Sequence, residues 1–231
     1  ARCAGAVNKN EIVSLLMETG EQPQEREIPA RRAPAQARAL RTRAALLAAV
    51  DAIVAAEGPA AVTTTSVAEA SGVSVGTIYR YFPDREALLL AAYDASVERI
   101  VQQCAQALQD RPKLRSLEDE ARRLLALYLA TAEADTAHAG LLVAMRAIRP
   151  IALDQRGGES DLVADRLMAP LLARHALAAP ADDIVFLRLL MGAMVDLYLL
   201  SPAGPHRQRL AGDIEAHMLL ALDRAVHRAA K

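Results

Sequence analysis

Aromatic residues are scarce in this 231-residue chain: they make up 3% of it, and tryptophan is missing altogether. Apolar residues still reach 53%, so the core must be built from Ala, Leu and Val, which suits helices. Cysteine is nearly absent too. Cys3 and Cys104 are far apart and show no metal-ligand spacing; they imply no disulfide framework and fit a reducing compartment. No uncharged apolar run is long enough to span a bilayer and no secretory signal is visible, so the expected location is cytoplasmic, without a membrane partner. No alternating apolar pattern marks a strand, and no internal repeat recurs. Neither sign of charge prevails: the formal net charge is −1, which neither implies nor excludes a nucleic-acid partner. His138, His175, His206, His217 and His227 do not pair with Cys, Asp or Glu at metal-ligand spacing, so no metal and no cofactor is expected.

What is present concentrates in VTTTSVAEASGVSVGTIYRYFPDREALLL, residues 62–90. A hydroxyl at Thr63 can accept a first-turn amide proton and cap a short helix that turns Val67 and Ala68 inward. Gly72 can take the left-handed conformation that ends it. Ser74 caps a second short helix with Ile78 inside and Thr77, Tyr79, Arg80 and Tyr81 mostly outside. Pro83 ends that helix, and Asp84 caps a third, longer one. Two short helices joined by a tight Gly-containing turn form a helix-turn-helix. The exposed side of the second helix carries hydroxyls, phenols and a guanidinium, groups that meet phosphates and base edges. Ahead of it, Arg31, Arg32, Arg38, Arg41 and Arg43 fall in one acid-free stretch, read as an arm toward the DNA backbone or minor groove.

Gly58 and the run TTTSVAEASGVSVGTIYRYFPDREAL resemble the DNA-binding domain of the tetracycline-repressor (TetR) family of bacterial regulators. The match covers residues 42–93. It rests on Gly58, Ala68-Glu69, Gly72-Val73-Ser74, Gly76-Thr77-Ile78-Tyr79 and Tyr81-Phe82-Pro83 occurring together. The resemblance implies a dimer on a palindromic double-stranded operator, most often as a repressor, with a small-molecule effector bound in the C-terminal domain. It implies backbone and base contacts from Thr64 and Thr65, and recognition-helix contacts from Ser74, Gly76, Thr77, Tyr79, Arg80 and Tyr81. Arg85 stands where the family usually has a phosphate-binding Lys, a task a guanidinium can perform bidentately. Val75 departs from a common Lys, exchanging a cation for an apolar tip that can touch a thymine methyl.

The expected fold is all-α with about nine helices. Residues 1–35 read as a basic, tag-like or disordered leader, with Met17 the expected natural start or, alternatively, a short amphipathic helix over 10–17. Residues 36–83 form the helix-turn-helix domain and 84–231 the ligand-sensing and dimerisation domain. The first helix should start near Pro34 or Ala39 and end at Glu57, with Leu40, Ala44, Leu47, Val50 and Val54 as one apolar stripe that Leu46 and Ile53 widen. Ser116 and Asp119 fit a capping signal for a later helix. A helix over 160–177, after a loop at Gly157-Gly158, should bend at Pro170.

Residues 184–200, opening on Ile184 and closing on Leu200, are apolar nearly all round except for Arg188 and Asp196, so this helix must be covered on every side. Residues 206–228, from His206 to Arg228, are amphipathic. The two helices together point to a four-helix homodimer interface, as the resemblance also implies, with an intramolecular core as the alternative. Candidate effector-binding residues are Cys104, Tyr128, Met145, Arg149 and Met191. Cys104 also fits a small buried hydrophobe, Met145, Met168, Met191 and Met194 also fit core filling, and Arg146 and Arg149 fit either an acidic ligand or solvent.

No catalytic residue is expected and the chain reads as no enzyme. The GVSVG of Gly72–Gly76 spells a serine-hydrolase nucleophile elbow, but that motif needs a preceding strand, and a helix precedes it here. Two other readings keep the fold: a ligand-independent DNA-binding protein, and a transcriptional activator.

Overall fold

The structure, a computed structural model, describes residues 32–110, 112, 116–150, 162–177 and 180–229. Met17, Cys3, the 10–17 segment, Arg31 and the Gly157-Gly158 loop lie outside them. Among the described residues there are nine α-helices and no strand. The chain divides into two units, residues 1–41 and 42–231. The described part of the first unit, from residue 32, is helical and opens α1, Arg32–Glu57. From Arg32 onward the basic stretch is therefore helical.

In the second unit α1 buries Leu46, Leu47, Val50, Ile53 and Val54. Leu40 and Ala44, which share their helical stripe, are exposed; the inward face starts only at Leu46, where neighbouring helices begin to cover α1. Gly58, at φ 82°, turns the chain into a single 3-10 turn, Pro59–Ala61. Then come α2 (Thr64–Ser71), α3 (Val75–Tyr79) and α4 (Arg85–Asp110). Their boundaries follow local chemistry. Thr63 accepts from the Ser66 amide, and Ser66 returns the bond to the Thr63 amide at 2.9 Å, a reciprocal cap. Gly72 takes the left-handed conformation at φ 69°. The Ser74 hydroxyl accepts from the Thr77 amide, and the Asp84 carboxylate from the Ala87 amide at 2.7 Å.

The remaining helices are α5 (Leu117–Ala134), α6 (His138–Ile148), α7 (Ala169–Arg174), α8 (Ala181–Leu200) and α9 (Pro205–Ala229). Ser116 caps α5, as its spacing predicts. A π-turn, Ala164–Met168, runs directly into α7, which has Pro170 in its first turn. Proline donates no backbone hydrogen bond and crowds the preceding turn, and a wider turn accommodates it. Glu120 of α5, fully buried, ties α5 to the end of α7: its carboxylate accepts from Arg123, Arg174 and, at 2.6 Å, His175 Nε2. Burial alone raises that carboxyl, but the hydrogen bonds from His175 and Arg174 outweigh it and hold the group below its ordinary range. No helix among the described residues is long and apolar enough to cross a membrane.

Two apolar cores result. One gathers α1, α2, α3 and the start of α4; the other gathers the rest of α4 with α5 to α9. Helix α4 serves both, with Leu88 and Leu89 in the first and Ile100 and Cys104 in the second. So does α6: Leu141 and Ala144 face the head, Leu142 and Met145 the C-terminal core. Contact between α6 and α1 is close enough that a Cβ on Gly140 would lie 2.6 Å from Val54 Cγ1. We expect Gly140→Ala to destabilise the protein by about 1–3 kcal/mol, the usual range for overpacking. Urea denaturation of Gly140→Ala, Val54→Ala and the double variant checks this: the double should recover part of the Gly140→Ala loss, and simple additivity would count against the contact.

Candidate nucleic-acid interface

The five-residue helix α3 and its two caps, Ser74 and Arg80, carry exposed polar side chains. Ile78 is buried beneath α3, while Tyr79 stands 55% exposed and Arg80 is exposed beside it. Thr65, Ser74 and Gly76 are also exposed, and Thr64, Thr77 and Tyr81 half-buried. The Ser74 and Thr77 hydroxyls lie 3.0 Å apart. Arg80 lies over the Tyr81 ring at 5.9 Å, which orients its guanidinium along the same face. Val75 is half-buried and packs against the head core, so only part of its surface remains for a base. Ser74 is a helix cap preceded by a helix, which removes the geometry a nucleophile elbow needs.

The two arginines that flank this face are held in place. Arg85 donates through Nε to the Val62 carbonyl at 2.6 Å and through Nη2 to the Pro59 carbonyl at 2.7 Å. It thus ties the start of α4 to the turn before α2, and its outer N–H groups still point from an exposed side chain. Arg43 of α1 is exposed and lies 5.7 Å from the centroid of the buried Phe82 ring. The head therefore presents a rigid polar and cationic surface: helix-capping hydroxyls, an exposed phenol and anchored guanidinium groups.

Behind the head, polar groups run from α1 to α6. Arg99 of α4 bridges Asp51 of α1 at 2.9 Å and Asp135 at 2.8 Å. Ser96, fully buried one turn back, donates its hydroxyl proton to Asp135 at 2.9 Å and lies 2.8 Å from His138 Nδ1. Its one proton being committed to the carboxylate, Ser96 accepts from His138, which assigns the ring proton to Nδ1. The chain of donors runs His138 to Ser96 to Asp135, so the imidazole does not act as a base toward the serine. Tyr93 stacks on His138 with ring centroids 5.7 Å apart. Burial pushes the His138 pKa down, helped by Arg99 and opposed by Asp135. Burial also raises the Asp51 carboxyl against the pull of Arg99, and Asp51 Oδ1 is buried with no partner among the described residues. At Asp135 burial again favours the neutral acid, but the bonds from Arg99 and Ser96 prevail and lower its pKa. Neither this network nor Gly140 was evident from helical periodicity, because its members are separated by tens of residues.

A cavity of about 280 Å³ lies in the C-terminal core. Tyr128 and Met191 line it, with Met168. Cys104 and Met145 do not; they are buried in the surrounding packing, and burial raises the Cys104 thiol to about 11. Arg149 is placed elsewhere, near Asp94 of α4, whose carboxyl is raised by burial against the charges of Arg149 and Arg43. Arg146, three residues before Arg149, lines the cavity instead, paired with Asp196.

Residues 46–92 match the family model described as bacterial regulatory proteins, tetR family. No curated protein matches the chain. Solved structures share its fold. AlkX, a TetR family repressor of Dietzia sp. strain DQ12-45-1b implicated in biodegradation of n-alkanes, is 18% identical with a TM-score of 0.56, over 78% of this chain and 95% of that one. A TetR-family transcriptional regulator of Streptomyces coelicolor is 19% identical with a TM-score of 0.54, over 80% and 99%. RolR in complex with resorcinol is 20% identical with a TM-score of 0.58, over 82% and 95%.

His138 gives this network a pH signature. A histidine whose pKa is lowered by folding stabilises the protein fully above its ordinary value of 6.5, and that contribution fades as pH falls through and below it, because the unfolded chain then binds more protons. We expect the melting temperature to drop between pH 7 and pH 5, and His138→Gln to flatten that drop. An unchanged slope in the variant would place its origin elsewhere.

Proposed function

We propose that this chain, whose residues 46–92 match the model of the tetR family of bacterial regulatory proteins, is a DNA-binding regulator that acts as a ligand-responsive repressor, bound as a homodimer to a palindromic operator. The observation that carries the reading is the α3 surface: Tyr79 and Arg80 exposed on a helix whose inner side chain, Ile78, locks it to the head. Thr64, Thr65, Ser74, Gly76, Thr77 and Tyr81 extend the face, with Val75 offering its exposed part to a base methyl. Arg43 and Arg85 supply cations at its edges for backbone phosphates.

Dimer formation is read from α8 and α9. Helix α8 is apolar on nearly all sides, yet in the single chain Val185, Phe186, Leu197 and Leu200 are exposed, as is Leu220 on α9. A second copy covering that face would satisfy an apolar surface unusual for a monomer. Two heads held so can place α3 and its mate in successive major grooves about 34–36 Å apart. Effector control follows if the ligand binds one head spacing better than another. The Tyr93–His138–Ser96–Asp135–Arg99–Asp51 chain supports such coupling: Tyr93 lines the cavity and Asp51 belongs to α1. The similar structure of RolR, bound to resorcinol, accords with a small-molecule site in this fold.

The test is binding to DNA from the region upstream of the protein's own coding sequence, across a salt series. Affinity should fall steeply with salt, and Tyr79→Ala should weaken it at least tenfold, about 1.4 kcal/mol, with the fold intact by circular dichroism. Equal affinity of the variant would remove α3 from the interface. For the dimer, Phe186→Asp with Leu197→Asp should give a monomer by sedimentation and lose the full operator. A dimer that survives both changes puts the interface on another face.

A further inference from the structure

We propose that a second copy of the chain closes the mouth of the C-terminal cavity, so that the partner supplies part of each cavity's wall and the cavity is shut off from solvent only in the dimer. This rests on reading the apolar side of α8 and α9 as the homodimer face, and extends that reading to the cavity.

Exposure locates the mouth. Among the described residues that line the cavity, only Gly192 of α8 is exposed. Leu189 and Ala193 beside it are half-buried, and Ala121 and Leu187, farther round the wall, are buried. A Cβ placed on Gly192 would meet nothing within 4 Å among the described residues, so the backbone there borders open space.

The place of that opening on α8 carries the inference. Phe186, Leu189, Ala193, Leu197 and Leu200 follow one another at steps of three and four residues, and so lie along one stripe of the helix. Phe186, Leu197 and Leu200 are exposed apolar side chains of the face assigned to the dimer. Leu189 and Ala193 sit between them on the same stripe and line the cavity. The rim of the cavity is therefore part of the apolar stripe, and a helix that packs on Phe186 and Leu197 also packs over the rim. Glycine weakens a helix interior, and no neighbour among the described residues needs the space a side chain at 192 would take. The same holds at Gly212 of α9, one and two turns before the exposed Ala216 and Leu220. A partner helix lying close against both positions accounts for both glycines. A molecule seated at the mouth would then touch both copies, and its binding and dimerisation would strengthen each other.

The experiment sets a thiol inside the cavity of the full chain. Ala121→Cys places it on the buried wall, Cys3→Ser removes one native thiol, and Cys104, buried outside the cavity, gives the background rate. Methyl methanethiosulfonate is the probe, and sedimentation at the same protein concentrations reports the oligomeric state. Labelling at 121 should slow about tenfold or more as the chain passes from monomer to dimer, because a closed cavity reacts only through transient opening. Adding Phe186→Asp and Leu197→Asp, with helix content checked by circular dichroism, should restore the fast rate at every concentration. If Ala121→Cys does not fold, Leu187→Cys on the same wall replaces it. A thiol that reacts at one rate in monomer and dimer, fast or slow, overturns the proposal and leaves the dimer reading standing. A chain that stays monomeric at every concentration overturns the dimer reading, and the proposal with it.

Discussion

Five residues cannot hold a helix in water, because the entropy of fixing the first turn exceeds what one or two hydrogen bonds return. Helix α3 persists because Ile78 and Phe82 are buried beneath it against α1 and α4. Each such burial contributes about 1.5–3 kcal/mol, enough to outweigh the nucleation cost of so short an element. The exposed side of α3 is thereby freed from any structural task. Tyr79 and Arg80 are left exposed there. Arg85 reinforces the arrangement from the other side, fastening α4 to the Pro59 and Val62 carbonyls.

The head is in turn joined to the C-terminal core by two elements. Helix α4 passes through both cores, and α6 touches both from the side. The α6 contact is an approach at Gly140 that leaves no room for a side chain, backed by a polar chain through Arg99, Asp135, Ser96 and His138. Apolar contact alone permits sliding, whereas directed hydrogen bonds in a buried setting have few equivalent arrangements. Tyr93, which touches both the cavity and His138, lies where a change in one can bias the other.

Local features were legible in the chain. Thr63, Gly72, Ser74, Asp84 and Ser116 announce helix ends because a cap bonds an amide two or three residues away. The family resemblance over the same stretch implied DNA contacts from α3 and its caps. Leu40 and Ala44 were misread because helical periodicity gives the direction of a stripe but not where a neighbour begins to cover it. Tyr128 and Met191 reached the cavity, while Cys104, Met145 and Arg149 did not. On a helix largely surrounded by other helices, several directions are equally buried, and only one faces the space left between them.

The sequence by itself determined an all-helical chain with a helix-turn-helix, since caps, turns and periodicity act over a few residues. Tertiary structure alone decided that Arg99 joins Asp51 to Asp135, that Glu120 gathers Arg123, Arg174 and His175, and that Arg146 rather than Arg149 faces the cavity. Those outcomes depend on how helices distant in sequence cross, and a crossing is set by the shapes of two whole faces packed together.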